Sequence, residues 1–128
     1  MWYSCARCSL LEWCLRAYAA PIVVLDIDAA ILQPLTVLEN ALDSAELGLF
    51  WRQPRRAPWL DIRAGVLVAR PTANAFRFAR LLRNYIEHFM QCGTPQWHLD
   101  QCALYCTLRM LQSQNDAPSI RSISEIAS

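Results

Sequence analysis

The spacing of apolar residues predicts an alternation of helices and strands along the chain. Helical spacing or a helix-start signal marks four segments, which we assign to residues 9–19, 36–42, 72–90 and 98–112. Apolar runs without helical spacing predict strands over residues 22–28, 46–51 and 62–69. One further short strand is expected at residues 120–123. Helices and strands are therefore interleaved along the whole chain.

Two of the predicted helices carry a start signal. Ser9 is followed three residues later by Glu12, and Thr36 stands in the same relation to Glu39. In a capping box, the side chains at these two positions satisfy backbone N–H groups of the first turn. The sequence therefore predicts that Ser9 and Thr36 begin their helices in this way.

The order of elements favours an α/β fold with three layers and a mostly parallel or mixed sheet. The chain is expected to form a single domain over residues 1–128. Within it we predict a leading helical segment at 1–20, a core at 21–112 and a polar tail at 113–128. In open sheets of this kind, ligands gather beyond the carboxyl ends of the strands.

Composition narrows the functional classes. The chain has 55% hydrophobic and 18% charged residues, which is enough apolar material for a folded core. Its formal net charge of +1 gives no broad electrostatic field, so we expect no nucleic-acid partner. All 12 basic residues are arginine, which excludes a catalytic lysine.

No apolar run reaches the roughly 20 residues that span a membrane, so we expect no transmembrane segment. Glu12 and Arg16 interrupt the apolar stretch near the N-terminus, whereas the core of a signal peptide is uninterrupted. The sequence therefore predicts a cytoplasmic protein.

The six cysteines permit two interpretations. Most of them fall within patterns typical of buried helix faces, which predicts reduced core thiols. An alternative is a small zinc-stabilised module, in which "CARC" and "CALYC" supply four thiolates and His98 is a spare ligand. The cysteines are Cys5, Cys8, Cys14, Cys92, Cys102 and Cys106.

The stretch "VVLDIDAAIL" places Asp26 and Asp28 at the end of an otherwise apolar strand. Alternation along a strand would direct both carboxylates to one side and turn Ile27 into the core. Oxygen ligands of this type suit Mg²⁺ or Mn²⁺, which leave positions open for phosphate oxygens. A second interpretation is structural, with one Asp capping the following loop and the other solvated.

The same stretch resembles the D-x-D motif of haloacid-dehalogenase-type phosphatases, in which the first Asp is the nucleophile. That resemblance would make Asp26 the nucleophile. Ala30 stands where those enzymes carry Thr or Val, and the chain lacks their lysine and their downstream acidic pair. This phosphatase function remains an alternative.

Several segments together are similar to GT-A fold glycosyltransferases, particularly those of glycosyltransferase family 8. "PIVVLDIDAAILQPLTVL" resembles the family's D-x-D strand, "IRAGVLVARPT" its "NAGVLLL" strand, and "WHLDQCALY" its "W..DQ.AL" segment. "YSCARCSLLEWCLRAYAAP" resembles the helix that precedes the D-x-D strand. The order holds over residues 3–111. The resemblance implies a GT-A-like fold and transfer of a sugar from a nucleotide-sugar donor to an acceptor that it does not identify.

The resemblance also implies roles for the acidic and amide side chains. Asp26 and Asp28 would hold Mn²⁺ or Mg²⁺ against the diphosphate, where the ion neutralises charge on the leaving group. Asp100 and Gln101 would be the catalytic pair, bonded to sugar hydroxyls near the anomeric carbon. The alternative for Asp100 is a carboxylate that stabilises the helix dipole.

Further residues would bind the substrate. Around Gly65, the backbone of Arg63 and Ala64 would approach the sugar ring closely, although a strand glycine can equally mark a bulge. Arg7 would reach the diphosphate, or else lie on the surface. Trp97 would form a wall of the acceptor pocket, or else belong to the core.

The chain also departs from the family pattern. The resemblance begins after the strand-helix-strand unit that binds the nucleoside in family members. Arg63 replaces the usual Asn, and no histidine follows Gln101 as a third metal ligand. The chain is therefore expected to be a fragment or a truncated descendant. It would act with a separate N-terminal part, or serve as a non-catalytic interaction domain that self-associates through an exposed sheet edge.

Overall fold

The computed structural model describes residues 2–51, 60–93 and 96–123, and these residues form five helices and four strands. The helices are α1 Trp2–Ser9, α2 Leu11–Tyr18, α3 Thr36–Ala41, α4 Ala73–Cys92 and α5 Leu99–Ser113. The strands are β1 Ile22–Leu25, β2 Leu47–Trp51, β3 Ile62–Ala69 and β4 Ile120–Ser122. Residues 124–128 of the predicted polar tail lie outside the described part of the chain.

The four strands form one mixed sheet with the order β1-β3-β2-β4. Strand β3 runs antiparallel to both β1 and β2, and β4 runs parallel to β2. The α/β class and the mixed sheet are confirmed, whereas a mostly parallel sheet is wrong. Only residues 52–61 connect β2 to β3, and a connection this short suits antiparallel neighbours better than a parallel crossover.

A bulge interrupts the pairing of β3 with β2. Leu49 pairs with Leu67, but the next residue, Phe50, pairs with Arg63. The residues from Ala64 to Val66 therefore have no partner in β2, while Val66 still pairs with Leu25 of β1. An odd number of extra residues in one strand reverses the face of the sheet to which the side chains beyond them point. The bulge lies at the Ala-Gly pair that the sequence singles out.

Helices cover both faces of the sheet, but unequally. Helices α1, α2, α4 and α5 pack over one face and form the main core with alternate strand residues. The opposite face carries a smaller cluster in which α3 contacts the sheet. The larger core includes Leu11, Leu15, Leu47, Leu49, Leu67, Phe78, Leu82, Ile86, Leu104 and Leu108. The smaller cluster comprises Leu38, Leu42, Val68 and Ile123.

The N-terminal segment is two helices rather than the single predicted helix over residues 9–19. Helix α2 has Leu10 at its N-cap with no side-chain cap, so the predicted Ser9 capping box is wrong. Helix α3 likewise begins after Leu35 without a side-chain cap, so the Thr36 capping box is also wrong. In contrast, α4 is capped by the Thr72 hydroxyl, which accepts a hydrogen bond from Ala75 N.

Glu12 stabilises the packing of α2 on α4 instead of capping a helix. Its buried carboxylate forms ion pairs with Arg16 at 3.1 Å, Arg80 at 3.1 Å and Arg83 at 2.9 Å. Burial acts to raise the pKa of Glu12, but hydrogen bonds from Arg80 and Arg16 and the charge of Arg83 outweigh it and lower that pKa. The carboxylate is therefore ionised in the folded protein.

Strand β1 ends at Leu25, three residues earlier than predicted. Asp26 and Asp28 consequently lie in the following turn, and strand alternation does not apply to them. Ile27 is 93% exposed, so the prediction that it turns into the core is wrong. The physical reason is that the chain turns at Asp26, whose carbonyl accepts a hydrogen bond from Ala29 N.

No helix in residues 2–51, 60–93 and 96–123 is long and apolar enough to cross a membrane.

We expect Gly48→Ala to destabilise the fold more than Gly65→Ala. A Cβ atom at Gly48 would lie 2.5 Å from Leu42 Cδ2 and 3.2 Å from Ile123 Cγ2, whereas at Gly65 it would meet nothing within 4 Å. Overpacking of this kind costs about 1–3 kcal/mol. Urea denaturation of both variants measures the difference, and equal free energies of unfolding would contradict the packing described for the smaller cluster.

The lowered pKa of Glu12 predicts acid sensitivity. A carboxyl whose pKa is lower in the folded state stabilises the fold above its unfolded pKa, and this stabilisation is lost as the pH falls through the folded value. We therefore expect unfolding free energy to fall below about pH 4.5, the ordinary value for glutamate.

Glu12→Gln should reduce that acid-dependent loss and cost about 1–2 kcal/mol at neutral pH, because three partly exposed arginines lose their counter-ion. Denaturation between pH 3 and pH 7 compares the variants, with Glu87→Gln as a control on an exposed ion pair. An unchanged pH dependence in Glu12→Gln would refute the role assigned to Glu12.

Candidate functional site

A cavity of about 220 Å³ opens at the end of the sheet where β1 stops. Side chains from distant parts of the sequence line this cavity, which we call the carboxylate pocket. Seven of its lining residues are among those predicted from sequence: Arg7, Asp26, Ala64, Gly65, Trp97, Asp100 and Gln101. Ser4, Cys5, His98 and Leu99 complete the lining.

Four segments supply the walls of the carboxylate pocket. Helix α1 contributes Arg7, and the turn after β1 contributes Asp26. The bulge in β3 contributes Gly65, while the start of α5 contributes Asp100 together with the residues just before it. The pocket therefore depends on the packing of α1 and α5 over the strand ends.

Arg7 lies between two carboxylates. Its Nη2 donates a hydrogen bond to Oδ2 of Asp100 at 3.1 Å, and its Nη1 lies 3.6 Å from Oδ1 of Asp26. The side chains of Arg7 and Asp100 are only 14% and 13% exposed. Because both acids are near one guanidinium, their charges are partly compensated within the protein.

The backbone holds Asp26 against the bulge. Asp26 N donates a hydrogen bond to Gly65 O at 3.0 Å. The Asp26 carbonyl accepts from Ala29 N, and its Oδ1 accepts from Ile27 N, each at 3.0 Å. These bonds form a turn that fixes the position of one candidate carboxylate relative to Gly65.

The start of α5 has an unusual backbone conformation. His98, at the N-cap, has a φ of 69°, in the left-handed region that few residues other than glycine adopt. Asp100 follows in the first turn, where its Oδ1 accepts a hydrogen bond from Gln101 N at 2.9 Å. This position also suits the helix dipole, so the structural role predicted as an alternative for Asp100 coexists with a place in the pocket.

The thiols near the pocket are poor nucleophiles and poor metal ligands. Burial raises the pKa of Cys8 to about 12. Burial and the negative charge of Asp100 also raise the pKa of Cys5. All six cysteines lie in the described residues as free thiols, and no group of three metal-binding side chains forms there. The structure therefore gives the zinc-module alternative no support.

Two predicted site residues lie outside the carboxylate pocket. Asp28 is exposed in the turn after β1 and does not line it. Arg63 is also exposed, and its guanidinium lies 5.4 Å from the centre of the Phe50 ring. Its neighbour Ala64 is buried, so strand alternation directs Arg63 away from the pocket.

Sequence reasoning missed some of the pocket lining. Ser4 lies one helical turn before Arg7, and its carbonyl accepts a hydrogen bond from Arg7 Nε at 3.0 Å. His98 lies next to Trp97, which is 76% exposed and therefore is not a core residue. Helical spacing from Arg7 identifies Ser4 as a neighbour, whereas no pattern indicates the left-handed backbone of His98.

The carboxylates near the turn after β1 determine whether this region could hold the cation that the resemblance implies. Magnesium typically takes one or two protein carboxylates and completes its shell with water and substrate phosphates. Asp26 lines the pocket, whereas Asp28 is exposed in the same turn outside it, so the pocket itself supplies one carboxylate of this pair. The residues fit an ion that the substrate helps to bind.

Comparison with known proteins identifies no relative, so an inference about function is based on the geometry described above. No protein-family model matches the chain, and neither a curated protein nor a solved structure matches it significantly.

Proposed function

We propose that the chain binds a nucleotide sugar in the carboxylate pocket and takes part in transfer of the sugar to an acceptor. The observation that carries this proposal is the convergence of residues from four separated segments into one cavity. Seven of the lining residues are ones to which the resemblance to glycosyltransferases assigns a role around one donor. Their gathering in one cavity agrees with that assignment and supports the proposal.

The chemistry of the pocket suits a sugar. Asp100 and Gln101 offer acceptor and donor groups for hydroxyls, and the exposed indole of Trp97 offers a face for the apolar side of a ring. The cavity of about 220 Å³ is smaller than the usual range for drug-sized ligands, about 300–1,000 Å³. We therefore assign it to the sugar and the adjoining phosphate rather than to a whole nucleotide sugar.

The second part of the proposal concerns the negative charge that develops on the leaving nucleoside diphosphate. Departure of a nucleoside diphosphate concentrates negative charge on phosphate oxygens, and Mn²⁺ or Mg²⁺ held by Asp26 and Asp28 would neutralise it. Arg7 is the cationic side chain that the described part of the chain places in the pocket. The protein's own contribution is to position Asp26 through the bulge and Asp100 through α5.

We expect Asp100→Asn to weaken nucleotide-sugar binding at least about tenfold, because an oriented carboxylate acceptor becomes an amide. Isothermal titration with UDP-glucose, UDP-galactose and GDP-mannose in Mn²⁺ measures the affinity. Asp116→Asn is the matched control, since Asp116 forms an exposed ion pair with Arg77 at 2.8 Å outside the pocket. Failure of the wild-type chain to bind any of a full panel of nucleotide sugars would refute the proposal.

A second candidate function is that of an interaction domain. Strand β1 pairs with β3 alone among the described strands, which makes it an edge of the sheet. The outer surfaces of α1 and α2 expose large aromatic side chains: Trp2, Tyr3, Trp13 and Tyr18. Exposed apolar patches and free strand edges are features of protein-binding surfaces.

This second function predicts self-association that does not need nucleotide sugar. We expect the apparent mass in light scattering to rise with protein concentration, and Trp13→Glu to suppress that rise by introducing charge into the aromatic surface. Leu60→Glu, at a partly exposed position on another segment, is the control. A monomeric mass at every concentration would count against an interaction domain of this kind.

A further inference from the structure

We infer that Arg7 is an internal cation that competes with a divalent ion for Asp26, so that the ion binds only as Arg7 gives up its contact with Asp26. This inference rests on the proposed function, because the ion is the one implied for the nucleotide-sugar site. It assigns Arg7 a positioning role before any substrate is present.

The two contacts of Arg7 differ in strength. The Asp100 contact is a hydrogen-bonded ion pair at 3.1 Å, whereas the Asp26 contact at 3.6 Å is too long for a hydrogen bond. Nη1, which faces Asp26, is buried and has no hydrogen-bond partner in the described residues. The contact with Asp26 is therefore the weaker one and the first to break.

Asp26 is the more accessible of the two acids. Its side chain is 38% exposed, compared with 13% for Asp100. An incoming ion can therefore reach Asp26 from solvent while Arg7 remains bonded to Asp100. Tethering of Nε to the Ser4 carbonyl at 3.0 Å keeps the guanidinium within the pocket during this exchange.

Electrostatics makes the two cations competitors. Arg7 carries a permanent positive charge, which repels a divalent ion bound to a carboxylate a few ångströms away. Removing that charge should raise the affinity of Asp26 for the ion. A residue with a purely structural role would have the opposite effect, because its loss would disorder the site.

The experiment titrates Mn²⁺ alone, without nucleotide sugar, and follows free Mn²⁺ by electron paramagnetic resonance. We expect Arg7→Met to bind Mn²⁺ about tenfold more tightly than wild type, and Arg7→Lys to stay near wild type because it keeps the charge. Arg77→Met is the matched control, since it removes an arginine from an exposed aspartate pair outside the pocket.

Two double variants test whether the gain in Mn²⁺ affinity depends on Asp26 and whether it persists when folding is protected. Arg7→Met/Asp100→Asn removes both partners of the buried pair, which protects folding, and should still bind Mn²⁺ more tightly than Asp100→Asn alone. Arg7→Met/Asp26→Asn should lose the gain. Equal affinity in wild type and Arg7→Met, tightening that survives loss of Asp26, or no Mn²⁺ binding in any variant would overturn the inference. Nucleotide-sugar binding, measured separately, decides the proposed function.

Discussion

The bulge in β3 is the constraint on which the rest of the structure depends. Strand β3 lies inside the sheet and bonds to β1 on one side and β2 on the other. The three residues without a partner in β2 shift the side-chain phase of β3, so that Ile62 before the bulge and Leu67 after it both face the main helical layer. Without the shift, one half of β3 would present its apolar residues to the wrong face of the sheet. Within the bulged segment, Gly65 O accepts a hydrogen bond from Asp26 N, which places the turn after β1 beside the bulge.

Apolar packing then determines where the charges meet. Cys5 and Cys8 anchor α1 in the core, and Leu99 and Ala103 anchor the start of α5. Because these buried residues define the positions of both helices, Arg7 and Asp100 are brought within hydrogen-bonding distance although 93 residues separate them in the chain. The polar pocket is therefore a consequence of core packing, and the cost of partly burying its charges is offset by pairing.

Sequence patterns identified the elements that local periodicity specifies. Strand β3 and helix α4 are close to their predicted limits, because a continuous apolar run and a 3.6-residue period are properties of the segments themselves. The end of β1, by contrast, is set by the turn at Asp26, which interrupts the apolar run, so the run itself did not reveal that Ile27 would be exposed. The candidate site was likewise predicted only in part, because some side-chain positions depend on features that no local pattern specifies. Motif resemblance identified Asp26 and Asp100, but the positions of Asp28 and Arg63 depend on a turn and a bulge.

The balance of charge in the carboxylate pocket explains why a cation is part of the proposed function. Arg7 offsets only one of the two acids Asp26 and Asp100, so these three side chains together carry one net negative charge, and Asp28 adds another nearby. A diphosphate approaching this site meets like charge, which disfavours its binding. A divalent ion at Asp26 would reverse the sign of these three side chains together, and a shift of Arg7 from Asp26 toward phosphate would place positive charge next to the diphosphate. If the ion takes Asp26, it also frees Nη1 of Arg7, so one exchange would supply both changes.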